Sequence, residues 1–82
     1  MNTLHIDLLA TLRASAAYGL SAADLLLRLR AGAHRALTLP EIETALRDLA
    51  DRSLVAHFTS PLSGARWRLT ALGASALQEE GL

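Results

Sequence analysis

Arginine supplies every formal positive charge of this chain: eight arginines balance eight acidic residues, and lysine is absent. A planar guanidinium group donates hydrogen bonds in a fork that matches phosphate oxygens and the edge of guanine better than an ammonium group does. Translation from a GC-rich genome produces the same bias, so the residue type alone does not indicate nucleic acid. Because the net charge is zero, the position of each arginine decides what surface it can form.

The charges are distributed unevenly along the chain. Residues 26–40 contain three arginines and residues 53–70 contain two, and neither segment has an acidic residue. Residues 41–52 contain four acidic residues and two arginines, which is a net charge of −2. Affinity for DNA comes largely from neutralised phosphates. The two basic segments are therefore the candidate contacts with a phosphate backbone, and the acidic segment between them opposes such contacts.

Residue patterns typical of catalysis or metal binding do not occur in this chain. There is no cysteine, and His5, His34 and His57 lack the spacing of metal ligands. Neither a Ser/His/Asp order nor a glycine-rich phosphate loop stands out. We therefore expect no enzyme and no cofactor. No apolar run approaches the ~20 residues of a membrane span, and the start lacks the basic region of a signal peptide, so we expect a cytoplasmic protein without a membrane contact.

Two segments in the first half of the chain have the apolar spacing of helices. The first covers residues 3–15, with Thr3 as its cap, and Tyr18 and Gly19 interrupt the pattern after it. Its buried stripe is predicted to consist of leucines: Leu4, Leu8, Leu9 and Leu12. The second runs from residue 22 to 30 or 31, with Ser21 as its cap and Gly32 as its stop. Its buried stripe is predicted to be Leu25, Leu26 and Leu29.

The strongest local signal is the run Thr38-Leu39-Pro40-Glu41. Threonine followed three residues later by glutamate forms a capping box. Proline is favourable in the first turn, because the backbone N–H that it lacks would have no partner within the helix. A third helix is predicted at about residues 39–51. Its buried face is predicted to be Ile42, Ala45, Leu46 and Leu49.

After the third helix the period changes from helical spacing to alternation. Two short strands and a turn cluster at 60–64 predict an antiparallel hairpin at about residues 54–69. Since a lone hairpin is marginal in water, its apolar residues are expected to contact the helices: Val55, Phe58, Trp67 and Leu69. Arg66 and Arg68 share the other face of their strand. Thr70 is predicted to cap a last helix at residues 71–80, with Leu72, Ala76 and Leu77 directed inward.

Two motifs resemble the winged helix-turn-helix superfamily of transcriptional regulators, in its PadR-like and MarR-like forms. Residues 45–55, ALRDLADRSLV, resemble its pattern aLrrLeerGLV, with Ser53 at the usual glycine. Residues 67–73, WRLTALG, resemble its closing YrLTxxG. The resemblance implies one winged-helix domain over residues 1–82, mainly α with a small antiparallel β-hairpin (α+β). It consists of a three-helix bundle, a wing and a C-terminal helix.

This resemblance also implies a bacterial, homodimeric regulator that binds double-stranded DNA through helix 3 and the wing. Helix 1 and the C-terminal helix carry leucines beyond what a small core needs, and we expect them to form the dimer. The sequence specifies no operator and no small-molecule effector. The candidate DNA-binding residues are Thr38, Glu41, Thr44, Arg47, Arg35, Arg66 and Arg68.

Each candidate also has a purely structural interpretation. Thr38 is a cap, Arg47 can pair with Glu43 one turn away, and Arg66 and Arg68 can form an ordinary solvated strand face. Since a fold does not determine a function, a protein–protein interaction module without DNA binding remains the alternative. The acidic third helix and the zero net charge favour this alternative.

Overall fold

Asn2, rather than Thr3, caps the first helix. In the computed structural model, which describes residues 2–15, 19–62 and 64–81, helix α1 spans Thr3–Ala14. The Asn2 side chain accepts a hydrogen bond of 2.8 Å from the backbone N–H of His5, and asparagine is among the best residues at this position. The prediction of Thr3 as the cap was therefore wrong by one residue. The predicted interruption at Tyr18 lies outside the described residues.

The next two helices begin and end where the sequence predicts. Helix α2 spans Ala22–Ala31, with Ser21 as its N-cap and Gly32 as its C-cap. Helix α3 spans Leu39–Asp51 and has the complete capping box between Thr38 and Glu41. Local capping chemistry determines both ends of α2 and the start of α3, which explains why they are visible without tertiary information.

Side-chain bonds hold the connection between α2 and α3 in place. The Nε of Arg30 donates to the carbonyl oxygen of Leu37 at 2.7 Å. His34 Nε2 lies 2.6 Å from Asp7 Oδ2 of α1, within hydrogen-bond distance. The half-buried His34 therefore ties the residues that precede α3 to the first helix.

Leucines from all four helices meet in one core. The predicted buried face of α3 is confirmed, since all four of its apolar residues are at most 3% exposed. On α1, the predicted buried stripe included Leu4, but Leu4 is only half-buried and the next residue, His5, is buried. On α2, Leu26 is half-buried rather than buried. The core residues are Leu8, Leu9, Leu12, Leu20, Leu25, Leu29, Leu37, Ile42, Ala45, Leu46, Leu49, Val55 and Leu77.

The predicted hairpin is present, but one of its apolar residues lies on the unexpected face. Strands β1 (Val55–Ser60) and β2 (Gly64–Leu69) pair antiparallel, with His57 opposite Trp67 and Phe58 opposite Arg66. Directly opposed residues share a face of an antiparallel pair. Phe58 therefore lies with the arginines, and the expectation that it joins Trp67 against the helices was wrong. Ser63, in the predicted turn, lies outside the described residues.

A short segment before α2 adds a third pairing to the hairpin. Leu20 donates to the carbonyl of Trp67 at 2.9 Å and accepts from its N–H at 2.7 Å. Gly19 makes this approach possible, since its φ is +67° and a β-carbon there would collide with the carbonyl oxygen of Trp67. The sequence analysis missed this pairing, because one residue of extended chain has no periodicity.

Helix α4, Ala71–Glu79, closes the domain on α1. Thr70 caps it as predicted, and Leu77 is fully buried. The prediction that Leu72 is directed inward was wrong, because this side chain is 60% exposed. Gly73 occupies the inward position instead, where a β-carbon would collide with the carbonyl oxygen of Leu54.

The chain thus has a mainly α fold with a small antiparallel hairpin, in a winged-helix-like layout. The order is three helices, two strands and a closing helix. Within the ranges that the structure describes, no helix is both long and apolar enough to cross a membrane.

Candidate nucleic-acid interface

Helix α3 buries one face and presents the opposite face to solvent. With 100° between successive residues, Thr44, Arg47 and Asp51 point away from the core stripe, and all three are exposed. The capping box fixes where the helix begins, and the buried leucines fix its rotation about its axis. Sequence reasoning therefore identified the exposed face correctly.

Three candidate residues near the start of α3 make hydrogen bonds within the helix itself. Thr38 donates through its Oγ1 to Glu41 Oε1 at 2.8 Å and through its backbone N–H to the same oxygen at 3.1 Å. Thr44 donates through its Oγ1 to the carbonyl of Pro40 at 3.0 Å. The structural interpretation of Thr38 is thus confirmed, and the carboxylate of Glu41 is engaged in the cap.

Arg47 lies beside a groove between α3 and the hairpin. The groove has a volume of about 250 Å³. Its lining consists of Ala22, Glu43, Arg47, His57, Ala65 and Trp67. Glu43 is half-buried and Arg47 is exposed. The ion pair that their spacing permits is not formed, since the contact of His34 with Asp7 is the single salt-bridge contact among the described residues.

An aromatic pair forms the hairpin side of this groove. The ring centroids of His57 and Trp67 are 4.6 Å apart, with their planes inclined by 49°. Such tilted contacts between rings are favourable beyond the area that they bury. The groove therefore has the rings of His57 and Trp67 on its hairpin side and two unpaired side chains of opposite charge, Glu43 and Arg47, on its α3 side.

The two arginines of β2 lie on the hairpin face that points away from this groove. The half-buried Arg66 donates through Nη2 to the carbonyl of Gly19 at 3.0 Å. The exposed Arg68 has its guanidinium carbon 5.7 Å from the ring centroid of Phe58. Their shared face is confirmed. The structure does not bring them together with Arg47.

Arg35 lies in the connection that leads into α3. It is exposed and precedes the Thr38 cap by three residues, which places its Cα within ~11 Å of that of Thr38. Arg28, on α2, is also exposed. Neither side chain makes an ion pair within the described residues, whereas Arg30 is engaged with the carbonyl of Leu37.

A second hollow lies on the other side of α3, against the start of α1. Its volume is about 410 Å³, and His5, Glu41, Thr44 and Asp48 are among its lining residues. His5 is 8% exposed, and its Nδ1 has no partner among the described residues. Burial lowers the pKa of His5, Arg52 lowers it further, and Asp48 opposes them. The neutral imidazole is therefore the form that fits this contact.

Two open grooves flank α3. Among the described residues, no group of three or more His, Cys, Asp or Glu side chains is placed to hold a metal ion. Polar groups on α3 and the hairpin surround open grooves on its two sides. No protein-family model, no curated protein sequence and no solved structure matches this chain.

Proposed function

We propose that this protein binds double-stranded DNA as a cytoplasmic transcriptional regulator, with α3 in the major groove. The observation that carries the proposal is the exposed face of α3, where Thr44 and Arg47 point away from the core and Arg47 lies beside the hairpin. An α-helix fits the major groove, and an arginine there donates to guanine O6 and N7. Of the predicted candidates, Arg47 is therefore the base-reading residue.

Phosphate contacts come from exposed arginines on α2, in the α2–α3 connection and on the outer face of the hairpin. Arg28, Arg35 and Arg68 are exposed and make no ion pair within the described ranges, so they are available to neutralise phosphates. Arg66 has a structural task at Gly19, and we leave it out of the contact set. With so few basic groups and an acidic stretch on α3, a single copy binds DNA weakly at physiological salt.

The test is binding to a pool of short duplexes with randomised centres, measured by fluorescence anisotropy. We expect affinity to fall steeply between about 50 and 200 mM salt. Arg35→Ala and Arg68→Ala weaken binding to all duplexes alike, and each reduces the salt slope by about 1. Arg47→Ala relaxes sequence preference instead. Absence of binding at the lower salt concentration, or affinity that ignores salt, overturns the proposal.

The same proposal includes a homodimer through α1 and α4. Fewer leucines are available for this contact than the sequence predicted. Leu8, Leu9, Leu12 and Leu77 are at most 1% exposed within one protomer, so they are not available to a partner. Leu72 remains, with 60% of its surface exposed. Sedimentation tests this part: a dimer that Leu72→Glu dissociates supports it, and a monomer at high concentration contradicts it.

The hollow between α1 and α3 favours a second candidate function, docking of a protein. Glu41 and Asp48 are exposed at its edge, and they attract a basic segment of a partner rather than a phosphate. Asp48→Arg removes a stoichiometric protein partner if this alternative holds, whereas Arg47→Ala leaves it bound. A partner-free protein that shifts DNA excludes docking as the main function.

A further inference from the structure

The carboxylate of Glu43, on α3, has no partner among the described residues. Glu43 is half-buried in the groove between α3 and the hairpin. It makes no ion pair and no side-chain hydrogen bond among the described residues, although Arg47 is only one turn away. The carboxylate of Glu43 is therefore free to accept a hydrogen bond from a molecule that enters the groove.

Glu43 and Arg47 together match the edges of two base pairs. An ionised carboxylate only accepts hydrogen bonds. In the major groove, cytosine presents the N4 donor, whereas adenine presents its N6 donor beside the N7 acceptor, which repels a carboxylate. Arg47 donates to guanine O6 and N7. Four residues of helix correspond to ~6 Å along its axis, and base pairs are stacked ~3.4 Å apart.

We propose that Glu43 is a specificity-determining residue that accepts from cytosine N4, one or two base pairs from the guanine bound by Arg47. This inference rests on the proposed DNA binding and replaces Glu41 as the acidic residue at the bases. The carboxylate of Glu41 accepts two hydrogen bonds from its own cap, whereas that of Glu43 has none. The spacing of the two side chains limits the operator to sites that contain both a guanine and a nearby cytosine.

The experiment is selection from a pool of duplexes with randomised centres at about 50 mM salt, followed by affinity measurements on the selected duplexes. The wild-type protein is expected to select a cytosine near a guanine, with a preference of about tenfold over the other bases. Glu43→Gln shifts this position from cytosine to adenine, because an amide both donates and accepts and so matches adenine N6 and N7. Arg47→Lys removes the guanine preference while it keeps the positive charge.

Two variants separate the hydrogen bond from the charge and from folding. Glu43→Asp keeps the charge with a shorter reach, so it loses the cytosine preference without changing the salt slope. Glu79→Gln, in the last turn of α4, makes the same chemical change on another element and leaves the selected sequence unchanged. Circular dichroism establishes that each variant is folded.

Other outcomes overturn the inference and can be told apart from failure of the proposed function. If Glu43→Gln strengthens binding to all duplexes equally, then Glu43 merely repels phosphates, and DNA binding stands without the cytosine contact. If its selected sequence and affinity equal those of the wild type, Glu43 is not at the bases. If the wild type binds no duplex, the proposed function itself fails.

Discussion

The two faces of the hairpin place similar side chains in different surroundings. On the face towards α3, the ring of Trp67 lies beside His57, and the unpaired Arg47 stands across the groove. On the opposite face, Arg66 is bound to a backbone carbonyl and Arg68 lies over the ring of Phe58. The alternation of residues along β2 places Trp67 on one face and both arginines on the other. It does not predict which of the two arginines is free to bind a ligand.

The difference shows that the approach of another backbone segment decides the role of an arginine. Arg66 and Arg68 are two residues apart on the same strand face. Gly19 brings a carbonyl within reach of Arg66 alone, which makes that guanidinium part of the fold. Of the four predictions that follow, the first two test this distinction between groups that stabilise the domain and groups that are free to bind a ligand. The other two test the backbone at Ser53 and the buried side chain of His5.

The largest effect is expected where the segment before α2 meets the hairpin. Gly19→Ala forces a side chain into the left-handed region and against the carbonyl of Trp67, so we expect a loss of about 3 kcal/mol in the free energy of unfolding. Gly64→Ala is the matched control, because Gly64 also has a positive φ, of +74°, but nothing lies within 4 Å of its β-carbon position. It should lose only about 1 kcal/mol. Equal losses in urea denaturation would contradict a close approach at Gly19.

The two arginines of β2 should separate stability from DNA binding. Arg66→Ala removes the hydrogen bond to Gly19, and we expect a loss of about 1 kcal/mol in unfolding free energy, reduced by its partial exposure. Arg68→Ala should change stability by less than about 0.5 kcal/mol and weaken DNA binding. If the same variant shows both the larger loss of stability in denaturation and the larger loss of DNA affinity in anisotropy, this separation of roles is wrong.

A smaller gain is expected at the end of α3. Ser53 has a φ of +62°, a conformation that costs a non-glycine residue about 1–2 kcal/mol. Ser53→Gly should therefore raise the free energy of unfolding by about 0.5–1 kcal/mol after the entropy of glycine is subtracted. Its backbone carbonyl still accepts from Thr70. A destabilised variant in thermal unfolding would show that the serine side chain makes a contact of greater value.

The smallest effect concerns pH and the contact of α1 with α3. Because burial lowers the pKa of His5 in the folded state, the unfolded state binds the proton more readily. The stability that depends on the neutral imidazole is complete above the unfolded pKa of about 6.5 and decreases as the pH falls below it. His5→Leu should flatten this part of the pH profile, measured by urea denaturation at several pH values. An unchanged profile in the His5 variant would rule out this linkage.

Local interactions specify the helices, the hairpin and the exposed side of α3, so these features were predictable from the residues alone. Capping residues such as Ser21 and Thr38 act on backbone groups within the same turn, and the leucine spacing of α3 records which side is buried. The resemblance also indicated a glycine position at Ser53, where the backbone has a φ of +62°. These features depend on interactions within a few residues, and the sequence lists them directly.

Tertiary structure alone decided which candidate side chains are already in use. The hydrogen bond of Arg66 depends on Gly19, which is distant in the chain, and the exposure of Leu72 depends on the close contact between Gly73 and Leu54. The availability of Glu43, in contrast to Glu41, depends on bonds that actually formed where spacing allowed several. Contacts between distant segments follow from packing of the whole chain, and local periodicity carries no record of them.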